Sequence, residues 1–213
     1  MAKFEEIADK ILPRDIGYEW SGSSLQEKDS SGQIGAILAM SLVFVYLFLV
    51  GLYESWMLPV AVMLISPIAM VGALAFIAIQ SKFGGALDIY AQIGLVMLIG
   101  LSTKQAILII EFAKDAHEQQ GLGIKEAAVQ AAYLRFRAVM MTNIAFILGL
   151  VPLVTATGAG AASRHSVGMT VFGGMMAVAF IGTFLVPAFY VMIEEMKVNV
   201  ARFIRAKKER KIK

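Results

Sequence analysis

The sequence predicts an all-α membrane protein, and three observations carry that prediction. The 213 residues are 58% hydrophobic and only 16% charged, with a mean hydropathy of +0.72, too apolar for an ordinary water-soluble domain. Five stretches, almost free of charge, approach the roughly 20 residues that a helix needs to cross a bilayer. One of them, within residues 92–115, holds a lysine, Lys104, well inside the apolar run. A lone charge at membrane depth costs about 3 to 10 kcal/mol and marks a candidate functional site.

In residues 2–12, Phe4, Ile7, Ala8, Ile11 and Leu12 recur at helical spacing, predicting a short amphipathic helix that Pro13 stops. Residues 16–20 read as a brief strand, and 21–32 as a polar Ser/Gly linker. The first domain, 1–32, is therefore expected to be a small α/β unit, too small to bury a core alone. It has no apolar signal-peptide core. Either the first membrane helix acts as an internal signal or the polypeptide is the end of something longer.

The membrane domain, 33–195, is expected to hold spans at about 33–53, 56–80, 89–111, 138–157 and 167–193. Trp56 is placed as an interfacial anchor. Pro59 falls where a helix start tolerates it, and Pro67 predicts a kink. Gly121 and Gly123 break the polar connection 114–137, and the run 158–166 reads as a flexible loop. The basic tail, 196–213, carries eight Lys and Arg residues, which puts the C-terminus in the cytoplasm and, with five spans, the N-terminus outside. That tail is equally compatible with anionic lipid contact.

Around Lys104, the consecutive residues Ser102, Thr103, Lys104 and Gln105 place polar atoms on every side of one turn. Lipid cannot surround such a turn, so protein or water must contact most of it. Two readings compete: a lysine snorkelling to the nearer interface, and a buried lysine paired with a carboxylate. Helical side chains lean toward their own N-terminus, away from that nearer interface and from Glu111, which points to a partner on another helix. On the fourth span, Arg135 and Thr142 share a face, with Asn143 adjacent. Lys104, Thr142 and Arg135 together make a candidate hydrogen-bonded route for protons. Taken singly, Thr142 reads equally as a hydroxyl bonded back to its own helix, and Arg135 as a topology residue. No Asp or Glu lies in the middle of any span, so the chain offers a counter-charge but no group to bind and release the proton.

The rest of the sequence excludes more than it proposes. It has no cysteine and therefore no thiolate metal site, and His117 and His165 read as surface residues. It has no phosphate loop and no nucleophile constellation. The expectation is a non-enzyme without cofactor, metal or nucleic-acid partner. The small residues Gly94, Gly100, Gly168, Gly173, Gly174 and Ala177 suit close helix packing.

The strings LPRDIGYEWSG, GLYESWMLP, IGLSTKQAILIIEFAKD, VMMTNIAFILGLVPLV, TGAGAASRHSVG and VFGGMM resemble, in order, the C-terminal end of resistance-nodulation-division (RND) multidrug efflux pumps of the hydrophobe/amphiphile type. The resemblance implies that the five helices are spans eight to twelve of a twelve-span RND-type bundle, and that 1–32 ends a periplasmic porter subdomain. It implies an inner-membrane trimer exchanging protons for drugs, served by a periplasmic adaptor and an outer-membrane channel. By resemblance, Lys104 is the relay lysine that answers an aspartate pair in a complementary N-terminal half, Thr142 the relay threonine, and Arg135 the arginine at the cytoplasmic end. Members often have proline where Ala138 stands. The chain is thus expected to be a component that does not pump alone. The alternatives are a membrane scaffold or degenerate remnant and, more distantly, an accessory subunit of protein translocation.

Overall fold

The computed structural model describes residues 2–11, 13, 17–30, 33–81 and 88–212, and among them every regular element is helical. The chain divides into two units, residues 1–33 and residues 34–213.

In the first unit, α1 (Ala2–Ile11) takes the predicted amphipathic helix, and α2 (Ser23–Ser30) forms where a linker was expected. The expected α/β character is not found. Among the described residues 17–20 no strand forms, because a single extended segment without a partner ladder leaves its backbone groups unpaired; residue 16 lies outside the described residues. Glu5 organises the unit: its Oε1 accepts from Lys28 Nζ at 2.8 Å and from Trp20 Nε1 at 3.1 Å. The Lys28 hydrogen bond first, and then that of Trp20, hold the Glu5 carboxyl below its ordinary value.

Among its described residues the second unit holds five helices long and apolar enough to cross a membrane. The first is α3 (Ile34–Tyr53). Glu54, at φ 49°, makes the turn that follows, and the Tyr46 hydroxyl donates to the Trp56 carbonyl at 3.0 Å. The second span is broken into α4 (Leu58–Met63) and α5 (Ile65–Ser81). The predicted proline kink thus appears at Leu64, three residues before Pro67, since the ring removes the hydrogen bond to Met63 and crowds that carbonyl.

The third span, α6 (Ile89–Gln120), runs well beyond the expected end at 111. Uncharged length marks only the membrane-depth part of a helix, and the polar turns 111–120 continue it. Asp88 caps its start by accepting from Ala91 N at 2.8 Å. Gly121, at φ 68°, ends it, with its N–H on the Ala116 carbonyl. His117 Nδ1 donates to the Leu122 carbonyl at 2.6 Å. The polar connection expected over 114–137 is therefore only a three-residue turn between two long helices.

After that turn, α7 is Ile124–Val154 and α8 is Ala161–Ala177, so α8 begins inside the segment expected to be a flexible loop. A π-helical turn, Val178–Gly182, joins α8 to α9 (Thr183–Ile212). There the Thr183 hydroxyl reaches the Val178 carbonyl at 3.3 Å.

The tightest crossing is α5 on α8. A Cβ on Gly174 would strike Leu98 and come within 2.9 Å of the Ala69 carbonyl oxygen, and one on Gly72 would strike Ala177. Small residues here let backbones approach, which drives helix association where lipid tails are as apolar as leucine.

Candidate functional site

The polar turn of α6 is built from its most enclosed part. Ser102 and Thr103 are buried and donate to carbonyls of their own helix, Ser102 to Ile99 at 3.1 Å and Thr103 to Ile99 and Gly100 at 3.0 Å. Gln105 is buried against α7, where its Nε2 donates to Asn143 Oδ1. Lys104 differs from all three: it is exposed, and among the described residues it has no ion pair or hydrogen bond. It lies in a stripe of α6 that also exposes Ile93, Met97, Gly100, Glu111 and Asp115, all at helical spacing. The rest of the helix circumference is packed. The enclosed, carboxylate-paired lysine expected from the sequence is therefore not formed by this unit's own helices.

Two contacts set α6 against α7. Besides Gln105 with Asn143, the Arg135 guanidinium stacks over the Phe112 ring, 3.4 Å from its centroid. Seven residues along α6 from Gln105 to Phe112 match eight back along α7 from Asn143 to Arg135, so both contacts belong to one antiparallel register. In it Lys104 is level with Ile144, about 3 Å in depth from Thr142. Lys104 precedes Gln105 and Thr142 precedes Asn143. Because the helices run in opposite directions, stepping back one residue on each turns both side chains to the same side of the pair. Both are exposed there.

The Thr142 hydroxyl donates within its own helix, to the Val139 carbonyl at 2.9 Å and the Ala138 carbonyl at 3.1 Å. The alternative of a back-bonded threonine is thus what the chain adopts, and it leaves the oxygen free to accept. Arg135 is half-buried, and its Nε has no partner among the described residues. Its guanidinium lies on an aromatic ring rather than on an anion.

Sequence reasoning noticed Gln105 and Asn143 only as neighbours of other residues. The one sequence signal for their pairing was that each is an amide in an apolar run next to a candidate residue. It also missed the tie from Ser166 Oγ to Asp88 Oδ2 at 2.7 Å, which joins α8 to the cap of α6. Glu194 was missed as well: it is only 7% exposed and paired with Lys197 at 2.8 Å.

Comparison with known proteins identifies the family. Residues 1–194 match the model of the AcrB/AcrD/AcrF family. The chain is 45% identical over 196 residues, 92% of its length, to the toluene efflux pump membrane transporter TtgB of Pseudomonas putida. It is 46% identical over 193 residues, 91% of its length, to the multidrug export protein AcrF of Escherichia coli. With the multidrug resistance protein MdtF of Escherichia coli it shares 45% over 202 residues, 94% of its length. It spans 18–19% of the lengths of these relatives. A match along nearly the whole chain, on five apolar helices, settles the family: the chain belongs to the AcrB/AcrD/AcrF family of RND efflux transporters.

Proposed function

We propose that this chain forms the lysine side of a proton-coupled drug-export path in a bacterial inner-membrane pump. The observation that carries the reading is the place of Lys104: it sits in the middle of the uncovered stripe of a helix otherwise enclosed by its neighbours. A bare ammonium at that depth is too costly to leave facing lipid. A carboxylate-bearing helix laid along the stripe would answer it, supplied by the rest of a longer polypeptide or by a separate chain. Gly100, one turn from Lys104, has nothing within 4 Å of a notional Cβ, so such a helix can come close.

Thr142 fits the same scheme. Lysine only donates hydrogen bonds, and a threonine whose own proton is committed to its helix is left as an acceptor. When protonation of the partner carboxylates weakens their hold on Lys104, the Thr142 oxygen on the same side of the helix pair would offer an alternative acceptor. Arg135 lies about 10 Å along the same face toward the start of α7, where it would guide protons at the cytoplasmic end, the basic C-terminal tail lying on that side. By family, the assembly would be a trimer working with a periplasmic adaptor and an outer-membrane channel.

The test is dye export by cells expressing the chain together with the complementary half, or within the intact pump. Lys104→Ala is expected to abolish proton-driven export while the complex still assembles. Full export by that variant would overturn the relay assignment, and export by this chain alone would overturn its dependence on a partner.

A further inference from the structure

Gln105 and Asn143 are 7% and 1% exposed, and they form the only side-chain hydrogen bond between α6 and α7 among the described residues. We infer that this amide pair is a positioning device: it sets the register of α6 against α7 and thereby holds Lys104 and Thr142 within about 3 Å of one depth and on one side. Its consequence for transport rests on the relay reading above, whereas the register claim rests on geometry alone.

Along the two helices the other buried side chains are mostly apolar and many are small, among them Ala106, Ala113 and Ala116 on α6 and Ala127, Ala128 and Ala131 on α7. Such a surface accepts several registers at similar packing. The stack of Arg135 on Phe112 tolerates displacement, because a guanidinium over a ring face has no single fixed geometry. An amide pair does not tolerate it. A slip by one residue moves a side chain about 1.5 Å along and 100° round the helix. It would bring Thr142 or Ile144 opposite Gln105 and leave two amides unpaired in apolar surroundings, the costly outcome for buried polar groups.

The pair also has the means to be self-sufficient. Gln105 Oε1 and Asn143 Nδ2, an acceptor and a donor, are both buried and without partners among the described residues. A small rotation of the two amides joins them in a second hydrogen bond. A buried polar pair of this kind specifies register more than it adds stability.

The chain has no cysteine, so engineered cysteines report register without background. With Lys104→Cys on α6, a second cysteine is placed in turn at exposed positions 138, 142 and 149 of α7, and the full chain is oxidised in bilayers. With the native amides, disulfide yield is expected to peak at 142, about 3 Å from the level of position 104, and to fall to background at 138 and 149, about 9 and 8 Å from it along the axis. In the Gln105→Leu/Asn143→Leu variant, yield should spread to 138 and 149 at unchanged helix content; Gln105→Ala/Asn143→Ala is read the same way if the leucines prevent insertion. The exchanged pair Gln105→Asn/Asn143→Gln should restore the sharp peak. A sharp peak in the apolar variant, or a spread one in the exchanged pair, would overturn the inference. Because cross-linking needs no transport, its result stands whether or not Lys104→Ala abolishes export. In the assembled pump the apolar variant should shift the pH profile of export, and the exchanged pair should return it.

Discussion

Helices α3 and α6 are both long enough to cross a membrane, yet only 6% of the most apolar window of α3 is buried, against 56% for α6. The more apolar helix is the one at the surface. In water the reverse would hold, but lipid tails are as apolar as leucine and hydrophobicity gives a helix no reason to move inward. Polar and small residues give that reason. Ser102, Thr103 and Gln105 are enclosed on α6, and Gly94 packs against Thr170 of α8, whereas Phe44, Leu47 and Phe48 of α3 face outward. Lys104 stands apart from both patterns: it is charged, it lies on the most enclosed helix, and it is uncovered. That mismatch is the strongest pointer to a partner surface.

The comparison breaks first at Lys104. Lys104→Ala is expected to lower export by the assembled pump by on the order of 100-fold, the scale of a lost proton-transfer group, with no change in the thermal unfolding of this chain. Phe44→Ala on α3 should leave export as it is; equal loss in both variants would mean that exposure alone, and not charge, matters.

Next come the packed glycines. Gly174→Ala should cost about 1–3 kcal/mol, because backbone and Leu98 leave no room for a methyl group. Gly149→Ala, on open α7 surface, should stabilise the chain by up to about 1 kcal/mol through helix propensity. Detergent unfolding curves of the two variants decide whether the α5–α8 crossing carries the bundle.

A smaller effect is expected at Arg135. Arg135→Lys exchanges a flat cation over Phe112 for a compact one and should lose about 0.5–1 kcal/mol, whereas Phe112→Leu should make the same exchange nearly neutral. A double-mutant cycle on the chain measures that coupling.

The smallest lies in the first unit, at Glu5. Its carboxyl is lowered in the folded state, so its contribution is present above the unfolded value, about 4.5, and fades as pH falls through the lowered folded value. Trp20 fluorescence, read in a Trp56→Phe background, should shift only below that range, and Glu5→Gln should remove the shift.

Much of the fold was legible because a bilayer imposes a simple length rule. Uncharged runs marked five candidate spans, and Gly121 and Gly123 marked a break between two of them. The misses have physical causes. Polar turns after residue 111 carry no membrane signal, so α6 was read short. Pro67 acts on the carbonyl four residues earlier, so the break stands upstream of it. A strand near residue 18 was read from local β-propensity, which has no force without a ladder partner. The helices of Lys104, Thr142 and Arg135 were legible, because intramembrane charge and hydroxyl spacing are local features. The pairing of Gln105 with Asn143 was not, because it joins positions 38 residues apart across two helices whose rotation depends on all their neighbours.

The sequence by itself determined that five long apolar helices would form and that Lys104 would fall well inside the apolar run of one of them. Those follow from hydropathy and backbone hydrogen bonding, which each segment settles alone. Tertiary structure decided which face of each helix is covered. It left Lys104 and Thr142 together on the open side and put the amides inside, because coverage depends on where small residues on other helices allow backbones to meet.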